Sequence, residues 1–111
     1  MARLKGREFY RYMSEAEVAA IRRTGLLRGG RPEETFWTTD YYESADEAQE
    51  RLALRERPEK RVWFRITNEP AMERKNTRVA PDVGQPGGGT EYMTVADEKV
   101  AVEVIDVADL N

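Results

Sequence analysis

The sequence predicts an α+β fold: a split antiparallel β-sheet core with two short helices near the N-terminus. Three observations predict it. Helix-start patterns occur twice in the first half of the chain, at Ser14 and at Ser44. Segments that alternate polar and apolar residues surround these helices, and the clearest is RVWFRIT at 61–67. Strand-type segments dominate the second half, which favours segregated helices and strands over repeated βαβ units.

Length and composition indicate one globular domain, residues 1–111. A hydrophobic content of 40% with 35% charged residues is typical of soluble globular proteins. No apolar run approaches the ~18 residues that span a bilayer, and the N-terminus lacks a signal-peptide core, so no membrane partner is expected. The chain has no Cys and no His, so thiolate chemistry is excluded and no metal site is expected.

Charge is unevenly distributed along the chain. Residues 1–31 carry eight Lys and Arg against three Glu, whereas the whole chain has a net charge of −3. An acidic whole argues against nonspecific nucleic-acid binding, which needs a broad basic surface. The basic first third could hold a small anion such as a phosphate, or its Arg side chains could pair with the acidic remainder.

In the first half, EFYRYM at 8–13 reads as a strand. Ser14 then starts a helix with a narrow apolar stripe, and Gly25 is placed to end it. RGGRPEE at 28–34 is predicted to be a loop, and the β-rich TFWTT at 35–39 a second strand.

The second helix is predicted from Ser44 to about Leu54, with small or apolar residues facing inward at Ala45, Ala48 and Leu52. The strand at 61–67 follows, with Val62, Phe64 and Ile66 on one face.

Residues 68–89 read as irregular, with a possible short strand near 77–80. TEYMTV at 90–95 and VAVEVIDV at 100–107 are predicted to form a β-hairpin about the turn ADEK. Since two short helices cannot cover both faces of such a sheet, we expect a ligand-sized cleft along one side.

Polar candidates for chemistry come from three different strands: Arg11, the pair Thr38 and Thr39, and Glu91. Each type of residue is commonly a solvated surface side chain when it stands alone. The segment GQPGGGTEY at 84–92 places three glycines, and then Thr90, before Glu91. Glycine permits sharp turns and close approach to a neighbour, so this segment is either a mobile hairpin loop or a ligand-side turn that delivers Glu91.

The succession YR, an S-x-x-E helix, FWTT, an S-A-x-x-A helix and PGGGTEY resembles the ADP-ribosyltransferase superfamily. The likeness spans roughly residues 9–107, and GQPGGGTEY is its most specific part. That segment is similar to the GQPGGG-Q-Y segment of bacterial NAD glycohydrolase toxins, in which a Gln takes the place of Glu91. The resemblance implies an ADP-ribosyltransferase-like split sheet and NAD as the substrate.

The resemblance also implies a role for each matched residue. Arg11 would grip a phosphate or the nicotinamide-side ribose of NAD, and Thr38 or Thr39 would steady the pocket by hydrogen bonding. Glu91 would bind a ribose hydroxyl and stabilise the oxocarbenium-like cation that forms as nicotinamide departs. Gly88 and Gly89 would let the backbone turn beside the ligand. Tyr12 and Tyr41, together with Tyr10, Trp37 and Tyr92, are candidates for stacking on its rings, although core packing is their commoner use.

One position departs from the pattern. Family members that modify Arg or Asn side chains carry Glu or Gln two residues before the catalytic Glu, and this chain has Gly89 there. The acceptor therefore stays open among other side chains, nucleic acid and water, with protein favoured over nucleic acid.

The family likeness further implies an effector domain delivered as the C-terminal piece of a larger secreted bacterial protein. It would act in the target-cell cytosol during interbacterial competition and would be held in check by a cognate immunity protein.

Two alternatives do not involve NAD. A metal-independent ribonuclease toxin could work by acid–base catalysis and phosphate stabilisation, with candidates on and near the central strand at Arg61, Arg65, Lys75 and Arg78. A non-catalytic module could use the aromatic-rich segments FYRY and FWTTDYY as a partner surface.

Overall fold

The computed structural model of the chain describes residues 3–111, so Met1 and Ala2 of the predicted domain lie outside the described residues. The elements in chain order are β1 (Glu8–Met13), α1 (Glu15–Thr24), a 3-10 turn (Leu27–Gly30), β2 (Phe36–Trp37), α2 (Ala45–Arg51), β3 (Lys60–Ile66), β4 (Met72–Arg78), β5 (Thr90–Thr94) and β6 (Val102–Asp109). Two early helices and two small antiparallel sheets confirm the predicted α+β class. Across residues 3–111, no helix is both long and apolar enough to cross a membrane.

The first sheet has the strand order β1-β3-β6, and every pairing in it is antiparallel. The alternation predicted for the central strand is confirmed, because Val62, Phe64 and Ile66 are each 0% exposed. Phe9 of β1 packs against Phe64 with their ring centroids 6.3 Å apart. The inner face of this sheet is therefore one wall of the hydrophobic core.

The second sheet has the order β2-β5-β4, with β5 in the centre. Trp37 of β2 and its cross-strand partner Tyr92 stack with ring planes 7° apart. A bridge couples the two sheets: the N–H of Tyr10 donates to the carbonyl of Thr38 at 2.8 Å, and the N–H of Thr38 donates to the carbonyl of Tyr10 at 2.9 Å. This bridge brings the middle of β1 beside the end of β2.

Both helices begin where the sequence predicts. The Ser14 hydroxyl accepts a hydrogen bond from the N–H of Glu17 at 3.1 Å, and the Ser44 hydroxyl accepts one from Glu47 at 3.0 Å. Gly25 ends α1 in the left-handed conformation, with φ of 72°.

The second helix is shorter than predicted, because it ends at Arg51 rather than near Leu54. Ala45 and Ala48 are fully buried as expected, but Leu52 is only half-buried. The chain leaves the helix through Ala53, whose φ of 51° is incompatible with a further helical turn. Leu52 and the residues after it thereby become part of a cleft wall.

The predicted hairpin is wrong. Its two strands form as β5 and β6, but β5 lies between β2 and β4 whereas β6 pairs with β3 in the other sheet. The connection crosses between the sheets and buries Val100 to 1% exposure in the core. A continuous hairpin would have pulled this valine and Tyr92 away from the core that both sheets share.

The strand β4 is longer than the short strand predicted near 77–80. It runs from Met72 to Arg78 along the edge of the second sheet and is mostly exposed, so its residues lack polar–apolar alternation. Its pairing with β5 is irregular, and Asn76 has a positive φ of 52°. Charged residues and irregularities are common devices that keep an edge strand from pairing with another chain.

Candidate active site

A cleft of about 530 Å³ is lined by residues from both sheets. Its walls come from β1, the end of β2, residues 52–55 after α2, the chain from β4 into residues 79–82, and the start of β5. This volume lies within the range of clefts that bind small-molecule ligands. Arg11, Tyr12, Thr38 and Glu91, predicted from the sequence as site residues, all line it.

Arg11 is held in place by two elements. Its Nε and Nη2 donate to the two carboxylate oxygens of Glu17 at 2.6 and 2.9 Å, and its Nη1 donates to the carbonyl of Phe36 at 2.6 Å. Three of its five N–H donors are used in this way, which leaves one on each Nη. The guanidinium is thus fixed between α1 and β2, and its charge is balanced by a neighbouring carboxylate.

Glu17 is the partner that sequence reasoning missed. The helix-start pattern assigned it to capping α1, but its buried carboxylate pairs with Arg11 instead. Burial alone would raise the pKa of Glu17, but the hydrogen bonds and charge of Arg11, with the charges of Arg31 and Arg28, outweigh burial and lower it. The carboxylate therefore stays ionised at neutral pH.

Glu91 enters the cleft from the start of β5, and its side chain is 17% exposed. The closest cation is Arg74 on the adjacent β4, whose Nη1 lies 3.5 Å from the Glu91 Oε2. Partial burial raises the pKa of Glu91, and the charge of Arg74 opposes that rise only in part. Within residues 3–111 this carboxylate accepts no hydrogen bond, so both of its oxygens are available to a ligand.

Thr38 and Trp37 form a buried part of the cleft wall at 1% and 2% exposure. The Thr38 hydroxyl accepts a hydrogen bond from the N–H of Asp40 at 2.9 Å and keeps its own hydrogen for a further acceptor. The indole N–H of Trp37 has no partner in the described part of the chain. A buried donor without an acceptor is rare in folded proteins.

Asp40 links the segment after β2 to the start of β5. Its Oδ2 accepts from the Thr90 N–H at 2.7 Å and from the Tyr42 hydroxyl at 2.9 Å, and its Oδ1 accepts from the Thr90 hydroxyl at 2.9 Å. Its carbonyl accepts from the hydroxyl of Tyr12 at 2.8 Å. Asp40 thus fixes the residue before Glu91, and sequence reasoning missed it because nothing local marks a contact across 50 residues.

Tyr12 is a buried wall residue whose hydroxyl is already occupied. The hydroxyl donates to the carbonyl of Asp40 and accepts from the N–H of Tyr42 at 2.6 Å. Burial raises the pKa of Tyr12, and burial together with the bond to Asp40 raises the pKa of Tyr42. Both phenols therefore stay protonated and hold the turn that carries Asp40.

The predicted ligand-binding glycines Gly88 and Gly89, like the neighbouring Gly87, pack on the protein rather than on the cleft. The N–H groups of Gly87, Gly88 and Gly89 donate to the carbonyls of Glu50, Val79 and Arg51 at 2.9 Å each. A Cβ at Gly89 would lie 2.5 Å from the Tyr42 hydroxyl and 3.1 Å from Asp40 Oδ2. The glycines allow this segment to seat against the end of α2, and Gly88 and Gly89 are not among the residues that line the cleft.

The structure places two other candidates on the surface. Thr39 is exposed, and Tyr41 is 52% exposed with the Arg61 guanidinium 4.2 Å above its ring. Neither lines the cleft. Phe36 and Tyr10 do line it, and the 38% exposed ring of Phe36 makes it an accessible aromatic surface there.

Two further cleft cations were not singled out by the sequence. Arg55 follows α2 and Arg74 lies on β4, and both line the cleft. Their loop and edge-strand segments carry no motif, so only the tertiary structure associates them with Glu91. Among residues 3–111, no cluster of three acidic side chains is suited to holding a metal ion.

None of the protein-family models, curated proteins or solved structures compared with this chain matches it. The geometry of the cleft is therefore the basis for assigning a function.

Proposed function

We propose that the protein is a NAD-dependent ADP-ribosyltransferase toxin domain. It would cleave the bond between nicotinamide and ribose in NAD and transfer ADP-ribose to a macromolecule of the target-cell cytosol, a protein in preference to nucleic acid. The observation that carries the proposal is the convergence on one cleft of about 530 Å³ of Arg11 from β1, Thr38 from the bridge that follows β2, and Glu91 from β5.

The chemistry requires a carboxylate beside a developing positive charge. As the bond from ribose C1′ to the nicotinamide nitrogen breaks, its electron pair leaves with nicotinamide and C1′ becomes cationic. A carboxylate at Glu91 would accept a hydrogen bond from a ribose hydroxyl and stabilise that cation. The acceptor nucleophile would then bond to C1′ and pass its proton to water. Glu91 suits this role because within residues 3–111 no hydrogen-bond donor occupies its oxygens.

The division of the core supports the same proposal. Two three-stranded antiparallel sheets meet through the Tyr10–Thr38 bridge, and the candidate residues lie along that junction. An ADP-ribosyltransferase-like split sheet distributes its functional residues in this manner. We therefore propose that the two sheets form an ADP-ribosyltransferase-like split sheet.

The residue at position 89 is relevant to which side chain would accept ADP-ribose. Family members that modify Arg or Asn carry Glu or Gln at this position, but a Cβ here would meet the Tyr42 hydroxyl at 2.5 Å. No side chain fits without displacing the Asp40 network. We therefore propose an acceptor side chain other than Arg or Asn.

A ribonuclease is less well supported by the placement of its candidate residues. Arg65 is paired with Glu8 at 2.8 Å and with Glu103 at 2.5 Å, and Arg61 packs on Tyr41. Neither Arg61 nor Arg65 lines the cleft, and the same holds for Lys75 and Arg78. An interaction module would use exposed aromatics; of those in the two aromatic-rich segments, Phe9, Tyr12 and Trp37 are buried, and Phe36 and Tyr41 are exposed.

The test is release of nicotinamide from NAD by the purified domain, with labelled ADP-ribose followed in a bacterial cytosolic extract. Wild-type protein should release nicotinamide and label a macromolecule, and Glu91→Ala should slow both by about 100-fold or more. Release without label would show that water is the acceptor, as in a glycohydrolase. Absence of release from folded wild-type protein would overturn the proposal. An immunity protein and delivery within a larger secreted protein are further parts of the proposal.

A further inference from the structure

Arg11, the arginine predicted to bind a phosphate, already makes hydrogen bonds within the protein. Arg11 makes a two-pronged ion pair with Glu17 and a hydrogen bond to Phe36, with its side chain 17% exposed. Its charge is balanced by Glu17, and it can offer a ligand only the one remaining N–H on each Nη. The anionic part of a ligand should therefore find its main partners elsewhere in the cleft.

Two cleft arginines have guanidinium groups available. Arg55 is exposed, and none of the ion pairs among residues 3–111 involves it. Arg74 is 51% exposed, and its single carboxylate neighbour is Glu91 at 3.5 Å, which is longer than a good charged hydrogen bond. Besides Glu91, the acidic residue that lines the cleft is Asp82, and its carboxylate accepts a hydrogen bond from the N–H of Val83 at 2.8 Å.

Two more arginines, Arg51 and Arg78, converge beside Gly88, and each is next in sequence to a residue that lines the cleft. A Cβ built on Gly88 would lie 3.5 Å from Arg51 Nη1 and 4.0 Å from Arg78 Nη2, so both guanidinium groups approach one point. Both side chains are exposed, and neither belongs to an ion pair within the described residues. Like charges that converge without acidic partners form a favourable site for an anion.

We propose that Arg55 and Arg74 form a phosphate subsite of the cleft and bind the pyrophosphate of a dinucleotide. This inference rests on the proposed function for the identity of the ligand, and it assigns the role to residues outside the Arg11, Thr38 and Glu91 set. The planar fork of a guanidinium matches phosphate oxygens in pairs. With Arg74 close to Glu91, the pyrophosphate would lie near the reacting ribose, which is the connectivity of NAD.

The test measures binding of ADP-ribose by calorimetry, because ADP-ribose carries the pyrophosphate but cannot react. Arg55→Gln and Arg74→Gln should each weaken binding by about tenfold or more, the usual effect of losing one charge-assisted contact. The matched control is Arg57→Gln, two residues further along, where the arginine is paired with Asp46 at 2.7 Å. Its binding should stay within about twofold of wild type. Thermal melting of each variant shows that these exposed positions leave the fold intact.

A second arm uses nicotinamide riboside, which has the scissile bond and lacks phosphate. Arg55→Gln should raise the KM for NAD and leave turnover of the riboside unchanged.

Wild-type protein that fails to bind ADP-ribose, or variants that bind it as tightly as wild type, would overturn the subsite. If Arg55→Gln and Arg74→Gln lose binding to a single-stranded oligonucleotide but keep their binding to ADP-ribose, the pyrophosphate subsite is overturned in favour of a nucleic-acid surface. Arg55-dependent binding of ADP-ribose without nicotinamide release would keep the subsite and overturn the transferase.

Discussion

The backbone N–H of Thr90 donates to the Oδ2 of Asp40 at 2.7 Å, and the Thr90 hydroxyl donates to Oδ1 at 2.9 Å. These two bonds tie the turn after β2 to the residue that precedes Glu91. The position of the candidate catalytic carboxylate therefore depends on a residue 50 positions earlier in the chain than Thr90.

Asp40→Asn should destabilise the fold and impair activity through Glu91. An amide keeps one acceptor oxygen but loses the second, so part of the Thr90 and Tyr42 bonding is lost at a cost of about 1–3 kcal/mol. Urea unfolding measures this cost, and the kcat for nicotinamide release should fall further than KM changes. Asp106→Asn, at an exposed site on β6, is the control and should change stability by less than about 0.5 kcal/mol. Equal stability of the two variants would contradict the role of Asp40.

Gly89→Ala should destabilise the protein by about 1–3 kcal/mol because the new methyl would collide with its surroundings. The Tyr42 hydroxyl is the closest atom, 2.5 Å from the position that the Cβ would take. Tyr42→Phe removes that oxygen, so the double variant should lose less stability than the two single variants together. Strict additivity in the double-mutant cycle would show that this contact is not the reason for glycine.

Arg11→Ala should destabilise the protein strongly, by about 3–5 kcal/mol, since it leaves Glu17 buried without its partner. Replacing both residues by Met should restore much of that stability, because no unpaired charge remains. Chemical denaturation of the single and double variants checks this. Activity that is lost in Arg11→Ala and still absent in the folded double variant assigns a ligand role to Arg11, whereas recovered activity would make its role purely structural.

The pH dependence of stability should contain a component from Glu17. Its pKa is lower in the folded protein than in the unfolded chain, so the unfolded state binds the proton more readily. The stabilisation is therefore fully present above the unfolded pKa of 4.5 and is lost as pH falls through the folded pKa. Glu17→Gln should flatten the acid side of the stability curve. An unchanged acid limb in that variant would contradict this assignment.

Glu91 should contribute to the pH dependence of stability in the opposite direction to Glu17. Its folded pKa is raised, so the folded state disfavours the charged form, and the carboxylate costs stability at neutral pH. Glu91→Gln should raise the Tm at pH 7 and have a smaller effect at acid pH, below the ordinary pKa of 4.5, where the wild-type carboxyl is largely protonated. A fall in Tm at pH 7 would show that the carboxylate is instead satisfied by the protein.

The sequence was most informative where the determinants are local. The helix starts at Ser14 and Ser44 and the buried face of β3 follow from capping residues and alternation within a few positions. The pairing of β5 and β6 with different partners depends on contacts far apart in the chain, which a turn-like ADEK segment does not reveal. The exposed edge strand β4 lacks the apolar pattern on which strand prediction depends.

The same distinction holds for the site. Arg11, Thr38 and Glu91 were predicted from their residue types and their place next to strand ends, and they line one cleft. The Arg11–Glu17 pair and the Asp40–Thr90 link are tertiary contacts without a sequence signature. They are nevertheless what holds two of those three residues in position.

The most direct measurement is the rate of nicotinamide release from NAD by wild-type protein and by Glu91→Ala at pH 7, with equal folding verified by circular dichroism. If the cleft is an ADP-ribosyltransferase site, wild-type protein releases nicotinamide, and Glu91→Ala is slower by about 100-fold or more, as expected for losing a transition-state electrostatic contact. Equal rates in the two proteins, or no release by the folded wild type, would contradict the central claim.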